Sequence, residues 1–311
     1  MTLGGYIGFK MEDNKIIMKE IPQVDNMRKW LIQRHYSRLD VLFEIRNQLV
    51  NRETAFLIPT WNKSKHNVIN VRYLKCHSVQ YIQSCFRKFH YVTNADQEYF
   101  NFYKSVGSYS GGLPFTSLDV SQRDTDDWKK NHLDFMNAYD CFIDIDGGNH
   151  GEINHAHIST HLITKLLDDY KCPYNLIFSG CGFHIIIPYR FFMDRKFSFK
   201  PNQENSIYKK FSNIARFLHN SYTEMVDLKV YDSRRLQKVV YSLANYKRNT
   251  YVSWAFKSRL EFDNFQLDDY NIKNFNNESI RGRGITLFNG NGNVNKLLEE
   301  VNKFIEGGKN G

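Results

Sequence analysis

Asp144 and Asp146, two residues apart within Cys141-Phe142-Ile143-Asp144-Ile145-Asp146-Gly147-Gly148, are the first residues of this chain equipped to do chemistry. A strand's period of two aims both carboxylates at one face. Because an unpaired charge inside an apolar strand is costly, the pair reads as a clamp for a cation. Further along, Ile177-Phe178-Ser179-Gly180-Cys181-Gly182-Phe183-His184-Ile185-Ile186-Ile187-Pro188 reads as strand, tight turn, strand. Its glycines let backbone approach a ligand closely, and Ser179 and His184 offer a hydroxyl and an imidazole to phosphate oxygens. Singly, an Asp-x-Asp is common at strand ends and a Ser-Gly-x-Gly commonly marks only a hairpin. Their order and closeness together point to a metal and nucleotide site.

A third segment follows at 225–246. Asp227 comes directly after the apolar pair Met225-Val226, and Arg235, Lys238 and Ser242 lie beyond it. Phosphoryl chemistry asks for that order, a metal ligand and then donors that neutralise a triphosphate. Asp232 is the rival third carboxylate; Asp227 is preferred for its apolar lead-in. Read alone, the segment is equally an amphipathic helix with a solvated basic face, and His184 could be a satisfied core imidazole.

The elements that must carry these residues show in the hydrophobic pattern. Residues 24–50 have helical spacing (Met27, Trp30, Leu31, Tyr36, Leu39, Leu42, Phe43, Ile45), as one helix or a pair with basic residues opposite. Strands are predicted over 52–57 and 68–74, a helix over 78–90, and loop over 104–131, rich in Ser, Gly, Asp and Lys. Helices follow at 157–170 and 206–222. Residues 262–278, polar and Asn-rich, read as a surface connection, 294–305 as a closing helix and 307–311 as a frayed tail. Strand, helix, hairpin, helix, strand makes an α+β module on an antiparallel sheet.

Composition sets outer limits. The 311 residues are ample for a buried core, and 41% hydrophobic with 15% aromatic residues indicates a globular chain. Forty-two Lys+Arg against 33 Asp+Glu give a net charge of +9, which favours a polyanionic partner. No run is long and apolar enough to span a bilayer, and the N-terminus lacks the layout of a signal peptide. The expectation is therefore no membrane and an intracellular place, in cytoplasm or nucleoid. Five scattered cysteines without a Cys-x-x-Cys suggest neither a disulfide framework nor a zinc ribbon.

The three segments, in this order, resemble the catalytic motifs of the archaeo-eukaryotic primase superfamily, closest to the DNA primase small catalytic subunit and primase-polymerases. The likeness lies in the Asp-x-Asp pair, the Ser-Gly…Gly-x-His element, and an apolar-Asp element followed by Arg235-Leu236-Gln237-Lys238 and Ser242-Leu243. Asn51-Arg52-Glu53-Thr54-Ala55-Phe56, Val71-Arg72-Tyr73-Leu74 and Phe102-Tyr103-Lys104-Ser105 resemble its upstream strands, so that roughly residues 50–255 are covered. Departures are the lack of a Cys-rich insertion between the first two motifs and Val240 and Asn245 where relatives carry Pro and His. These suggest a compact member of the plasmid- or virus-borne kind.

The resemblance implies an N-terminal αβ module packed on an RRM-like antiparallel-sheet module, with a helical segment at 1–50, a catalytic core at 51–261, and a connection, closing helix and tail at 262–311. It implies template-directed nucleotidyl transfer from NTPs or dNTPs to a 3′-hydroxyl. Asp144, Asp146 and Asp227 would hold two Mg²⁺ or Mn²⁺ ions, and Ser179, Gly180, His184, Arg235, Lys238 and Ser242 would hold the nucleotide. The expected partners are a single-stranded DNA template and either a primase large subunit or a replicative helicase, since the chain has no Gly-x-x-x-x-Gly-Lys-Ser/Thr of its own. Template contacts could come from Arg28, Lys29, Arg34 and Arg38 or from Lys247-Arg248.

Other classes remain in play. His155-Ala156-His157 resembles the metal site of rolling-circle initiator nucleases, for which Tyr208 is the available nucleophile. A zinc ion on His155, His157, His161 and Cys172 is a further option, a glycosyltransferase could use the Asp-x-Asp, and a catalytically silent single-stranded DNA-binding module would need none of the aspartates.

Overall fold

Alternating and fully apolar strands, broken by periodic helices, set the architecture seen in the computed structural model, which describes residues 8–12, 15–19, 26–59, 68–74, 78–83, 101–110, 132–147, 152–246, 249–275 and 279–307. Helices α1 (Asn26–Ser37) and α2 (Leu39–Gln48) lead into β3 (Thr54–Pro59) and β4 (Val68–Leu74), after an isolated hairpin of β1 (Gly8–Glu12) and β2 (Lys15–Lys19). Then come β5 (Asn101–Ser105), β6 (Gly107–Tyr109), β7 (Met136–Tyr139) and β8 (Cys141–Asp146). Helix α3 (Ile153–Asp169), the hairpin β9 (Asn175–Phe178) and β10 (Gly182–Ile187), and helix α4 (Ile207–Ser221) follow. The chain closes with β11 (Leu236–Lys238), β12 (Leu243–Tyr246), β13 (Asn249–Val252), β14 (Trp254–Ala255), α5 (Arg259–Asp263) and α6 (Asn295–Gly307).

Two four-stranded antiparallel sheets organise these elements, in the orders β14-β9-β10-β8 and β11-β5-β3-β4. The fold is α+β, as the pattern predicts. In the first sheet, Phe183 faces the helical side, where its ring meets His157 of α3, Phe262 and Phe265. His184, one residue on, turns the other way and meets Phe142 edge-on at 4.7 Å. That alternation separates a greasy face, covered by α3 and α4, from the face that carries Asp144 and Asp146.

Several expectations need correction. The predicted loop over 104–131 starts too early: 101–105 and 107–109 are strands, because Phe102, Val106 and Tyr109 are wholly buried, and 111–131 lie outside the described residues. The 225–246 segment is no helix; it holds turns and two short strands. Residues 262–275 are not a surface connection, since Phe262, Phe265, Tyr270 and Ile272 are buried, Phe265 and Tyr270 against the rings of Phe178 and Trp254. Helix α3 begins a turn before its predicted start at 157. Trp30, Leu39, Phe43, Ile158 and Leu162, counted as apolar faces, are exposed. On α3 the buried side instead includes Thr160 and Thr164, whose hydroxyls donate to carbonyls one turn back at 2.6 and 2.9 Å. Of the predicted 78–90 helix, residues 84–90 lie outside the described residues, as do Lys247-Arg248 and residues 308–311 of the tail.

The N-terminal helices are seated by distant chain. His35 Nε2 meets the Tyr241 carbonyl at 2.7 Å, and the Tyr36 hydroxyl accepts from Leu243 N at 3.0 Å. Asp40 accepts from Ile280 N, while Glu44 accepts from Gly282 N and Gly284 N. Gly282 and Gly284 sit at φ +71° and +54°, left-handed conformations that glycine adopts without strain. Among the described residues no helix is long and apolar enough to cross a membrane.

Candidate active site

The β8–β10 register places His184 opposite Asp144 and Gly182 opposite Asp146. The close fit at Gly182, where a Cβ would lie 2.3 Å from the Ile145 carbonyl oxygen, requires glycine. On the free side of β8 the chain 225–227 runs alongside: Val226 bridges Ile145, Asp146 N donates to Met225 O at 3.3 Å, and Asp227 N donates to Asp144 O at 2.9 Å. Backbone pairing thus brings Asp227 beside the Asp-x-Asp pair, 81 residues downstream of Asp146. Asp227 Oδ1 and Asp232 Oδ1 each accept from the backbone N–H two residues on, of Lys229 and of Arg234, at 2.8 Å; what separates them is that Asp227 alone is paired by its backbone to Asp144.

From Asp227 the chain crosses to the second sheet, where β11 pairs with β5 and sets Lys238 opposite Tyr103. Arg235 lies on the crossing. Its Nη2 stands 3.4 Å from Asp144 Oδ2 and 3.9 Å from Asp227 Oδ2, and its buried Nε has no hydrogen-bond partner. Lys238 Nζ donates to the Tyr103 hydroxyl at 2.9 Å and lies 4.2 Å from that ring's centre.

The electrostatics follow from burial and crowding. Burial pushes Asp144 up to about 7; Arg235 pulls it back, while Asp146 and Asp227 push it further up. His184 goes the other way, to about 3, through burial first and then the charges of Lys238, Arg235 and Lys104. It is therefore neutral at neutral pH. Its Nε2 lies 3.5 Å from Asp144 Oδ1, and its Nδ1 is buried without a hydrogen-bond partner. A buried polar atom in that state is uncommon and calls for an explanation.

Three sequence candidates for the nucleotide are committed elsewhere. The Ser179 hydroxyl accepts from Gly182 N at 3.1 Å and so caps its own turn. Gly180 (φ +103°) packs where a Cβ would strike Ala244. Buried Ser242 donates to the Phe102 carbonyl at 3.3 Å. Two residues that sequence reasoning did not single out adjoin the site. One is Tyr103. The other is Lys104, whose buried amine is lowered to about 7 by burial and by Arg52. Their signal was present in the Phe102-Tyr103-Lys104-Ser105 stretch, but only the β5–β11 pairing shows where it leads.

The donor set suits hard divalent cations, being three carboxylates. The arrangement does not yet suit them, since among the described residues no group of three or more ligating side chains is disposed to hold an ion, and Arg235 bridges two of the three carboxylates. The histidine options also come apart. His157 bonds the Phe262 carbonyl at 2.9 Å, His155 pairs with Glu152, His161 lies 3.3 Å from Asp263, and Cys172 is buried as a free thiol. Tyr208 is buried with its hydroxyl on Met136 Sδ, which leaves a rolling-circle nuclease without its nucleophile. Of the template candidates, Arg34 stacks on exposed Trp30 and Arg38 pairs with Asp40; the side chains of Arg28 and Lys29 lie outside the described residues.

No protein-family model matches this chain, and no curated protein does. Among solved structures it is similar to primase RepB′, at 9% identity and a TM-score of 0.37, over 87% of this chain and 65% of that one. The chain thus spans just under two thirds of that primase's length. It is also similar to the catalytic domain of RepB′ in complex with initiator DNA (9%, 0.38, over 87% and 97%). A third is the polymerase domain of Ligase D from Mycobacterium tuberculosis in complex with DNA (13%, 0.47, over 78% and 86%). These likenesses are low in identity and in TM-score, and the functional reading below rests on the residues of the site.

Proposed function

We propose that this chain is a primase or primase-polymerase, which copies a single-stranded DNA template by transferring nucleotides from NTPs or dNTPs to a 3′-hydroxyl. One observation carries the reading. Asp144, Asp146 and Asp227 meet on one sheet face beside Arg235, with Lys238 and neutral His184 next to them. Negative charge in excess beside a bank of cations is what a site handling a cation-bound polyphosphate needs.

The 3′-hydroxyl would lose its proton to solvent as its oxygen attacks the α-phosphorus, the bond to the β-phosphate breaks, and pyrophosphate leaves. Two Mg²⁺ or Mn²⁺ ions belong to this proposal, on Asp144, Asp146 and Asp227, where they would supply Lewis acidity for the attacking oxygen and the leaving group. The chain's own residues do the rest. Arg235 offers a planar fork to phosphate oxygens, and Lys238 contributes a point charge held in place by Tyr103. His184, uncharged, can donate from its unpartnered Nδ1 to a phosphate oxygen as the Nδ1–H tautomer, in which Nε2 carries no proton. The Ser179–Gly182 turn keeps backbone close and fixes where His184 begins.

The test is template-dependent synthesis on single-stranded DNA, with labelled NTPs or dNTPs and Mg²⁺ or Mn²⁺, with and without a primer. Product from the wild type and none from Asp144→Ala/Asp146→Ala is the expected result, and primer-free lanes separate de novo priming from extension. Template binding with no synthesis under any condition would leave a silent DNA-binding module as the better reading.

A further inference from the structure

Two kinds of cation have a claim on the space between Asp144 and Asp227. The guanidinium of Arg235 is there, 3.4 Å from one carboxylate and 3.9 Å from the other. A divalent ion on the same oxygens would need them at about 2.0–2.1 Å for Mg²⁺, and its charge would repel the guanidinium over the same few ångströms. The two cannot share the position. Neither contact that holds Arg235 is short, and its Nε has no partner, so the head is detained by charge rather than locked by a full set of bonds.

Resting on the polymerase reading above, we propose that Arg235 is an exchangeable counter-ion. It bridges Asp144 and Asp227 until a divalent cation displaces it, and the released fork then takes the triphosphate of the incoming nucleotide. Each event favours the other, so that cation and nucleotide bind with positive coupling, by necessity in both directions. The segment is built for such a swing. Arg235 lies between an Asx turn at Asp232 and the start of β11, with its carbonyl anchored to Val106 N at 2.8 Å. The backbone therefore stays put while the side chain changes partners.

The experiment measures Mn²⁺ binding to the full chain by the loss of the free-ion paramagnetic resonance signal, for wild type, Arg235→Gln, Arg235→Lys, Lys238→Gln and Asp144→Asn. A second series measures the affinity for a fluorescent non-hydrolysable nucleoside triphosphate at saturating Mn²⁺. Exchange predicts that Arg235→Gln binds Mn²⁺ alone about 5- to 150-fold more tightly, the range typical of coupled sites, yet binds the triphosphate more weakly. Arg235→Lys, which keeps the charge without the fork, is expected to fall between. Equal tightening by Lys238→Gln, which removes the same charge from a side chain bonded to Tyr103, overturns the exchange, as does unchanged or weaker Mn²⁺ binding in Arg235→Gln while wild-type binding still depends on Asp144. Absence of any Asp144-dependent Mn²⁺ binding, with or without the triphosphate, overturns the polymerase reading together with the exchange.

Discussion

Two buried imidazoles in this molecule have nearly the same electrostatic position and opposite hydrogen-bonding positions. His35 of α1 is lowered to about 4 by burial, with Arg38 lowering it further and Asp40 opposing, but its Nε2 has the Tyr241 carbonyl at 2.7 Å. His184 of β10 is lowered to about 3, and its Nδ1 has no partner. The first imidazole has found its partner, and what it gains is a seat for α1. The second region has left an imidazole atom and an arginine nitrogen unsatisfied, beside three carboxylates that repel one another. Incomplete satisfaction of buried groups is costly to a fold; other buried atoms, such as Ser206 Oγ and Arg283 Nε, share it, but at His184 and Arg235 it coincides with crowded carboxylates that a ligand could relieve.

The sharpest way to press this contrast is to remove the crowded charge. Asp144→Asn should lower template-dependent synthesis by on the order of 10²–10³-fold. With a chelator present it should melt no lower than the wild type, because it relieves like-charge repulsion in a buried place. A clear fall in melting temperature would show that Asp144 belongs to the settled kind of region. Next, His184→Ala should lower kcat/KM for the nucleotide by about 10- to 150-fold, the worth of a hydrogen bond to a charged group, with little change in stability. A nucleotide KM equal to wild type would break the comparison.

His35→Leu should do the reverse, costing about 1–3 kcal/mol in denaturant melts because the Tyr241 carbonyl loses its donor, while kcat/KM per folded molecule holds. A further effect is expected in pH. A histidine whose folded value lies below its unfolded value of about 6.5 supports the fold above that pH and withdraws support as pH falls toward 4. Wild-type stability should therefore decline between pH 6.5 and 4, by on the order of 2–3 kcal/mol through His35. His35→Leu should flatten that part of the profile, and an unaltered slope would place the acid sensitivity elsewhere.

How much of this could be read from the sequence depends on whether the information is local. The Asp144-x-Asp146 strand, the Ser179–Gly182 turn and helices α4 and α6 are legible because the pattern lies within one element: period two, paired glycines, period 3.6. The meeting of Asp227 with Asp144 was expected only through a resemblance, since it depends on a single bridge at Val226 that no periodicity announces. The stretch 262–275 misled because its Phe and Tyr residues are spaced among Asp and Asn, and only the rings of Phe178 and Trp254 decide which way they turn. Lys104 was invisible as a neighbour of His184, because β5 and β10 belong to different sheets.

The seating of α1 and α2 has a consequence for how this chain is made. Their polar anchors, Tyr241, Leu243, Ile280, Gly282 and Gly284, lie 206 to 240 residues downstream of the groups they meet. At about 5–20 residues per second, the ribosome holds the two helices waiting for roughly 10–50 s before their seat exists. During that interval Ile32, Val41, Leu42 and Ile45, all buried in the finished protein, lack whatever cover this downstream chain supplies. Helices α1 and α2 are thus made well before the chain that seats them, and their apolar face is a natural client for chaperones on the nascent chain.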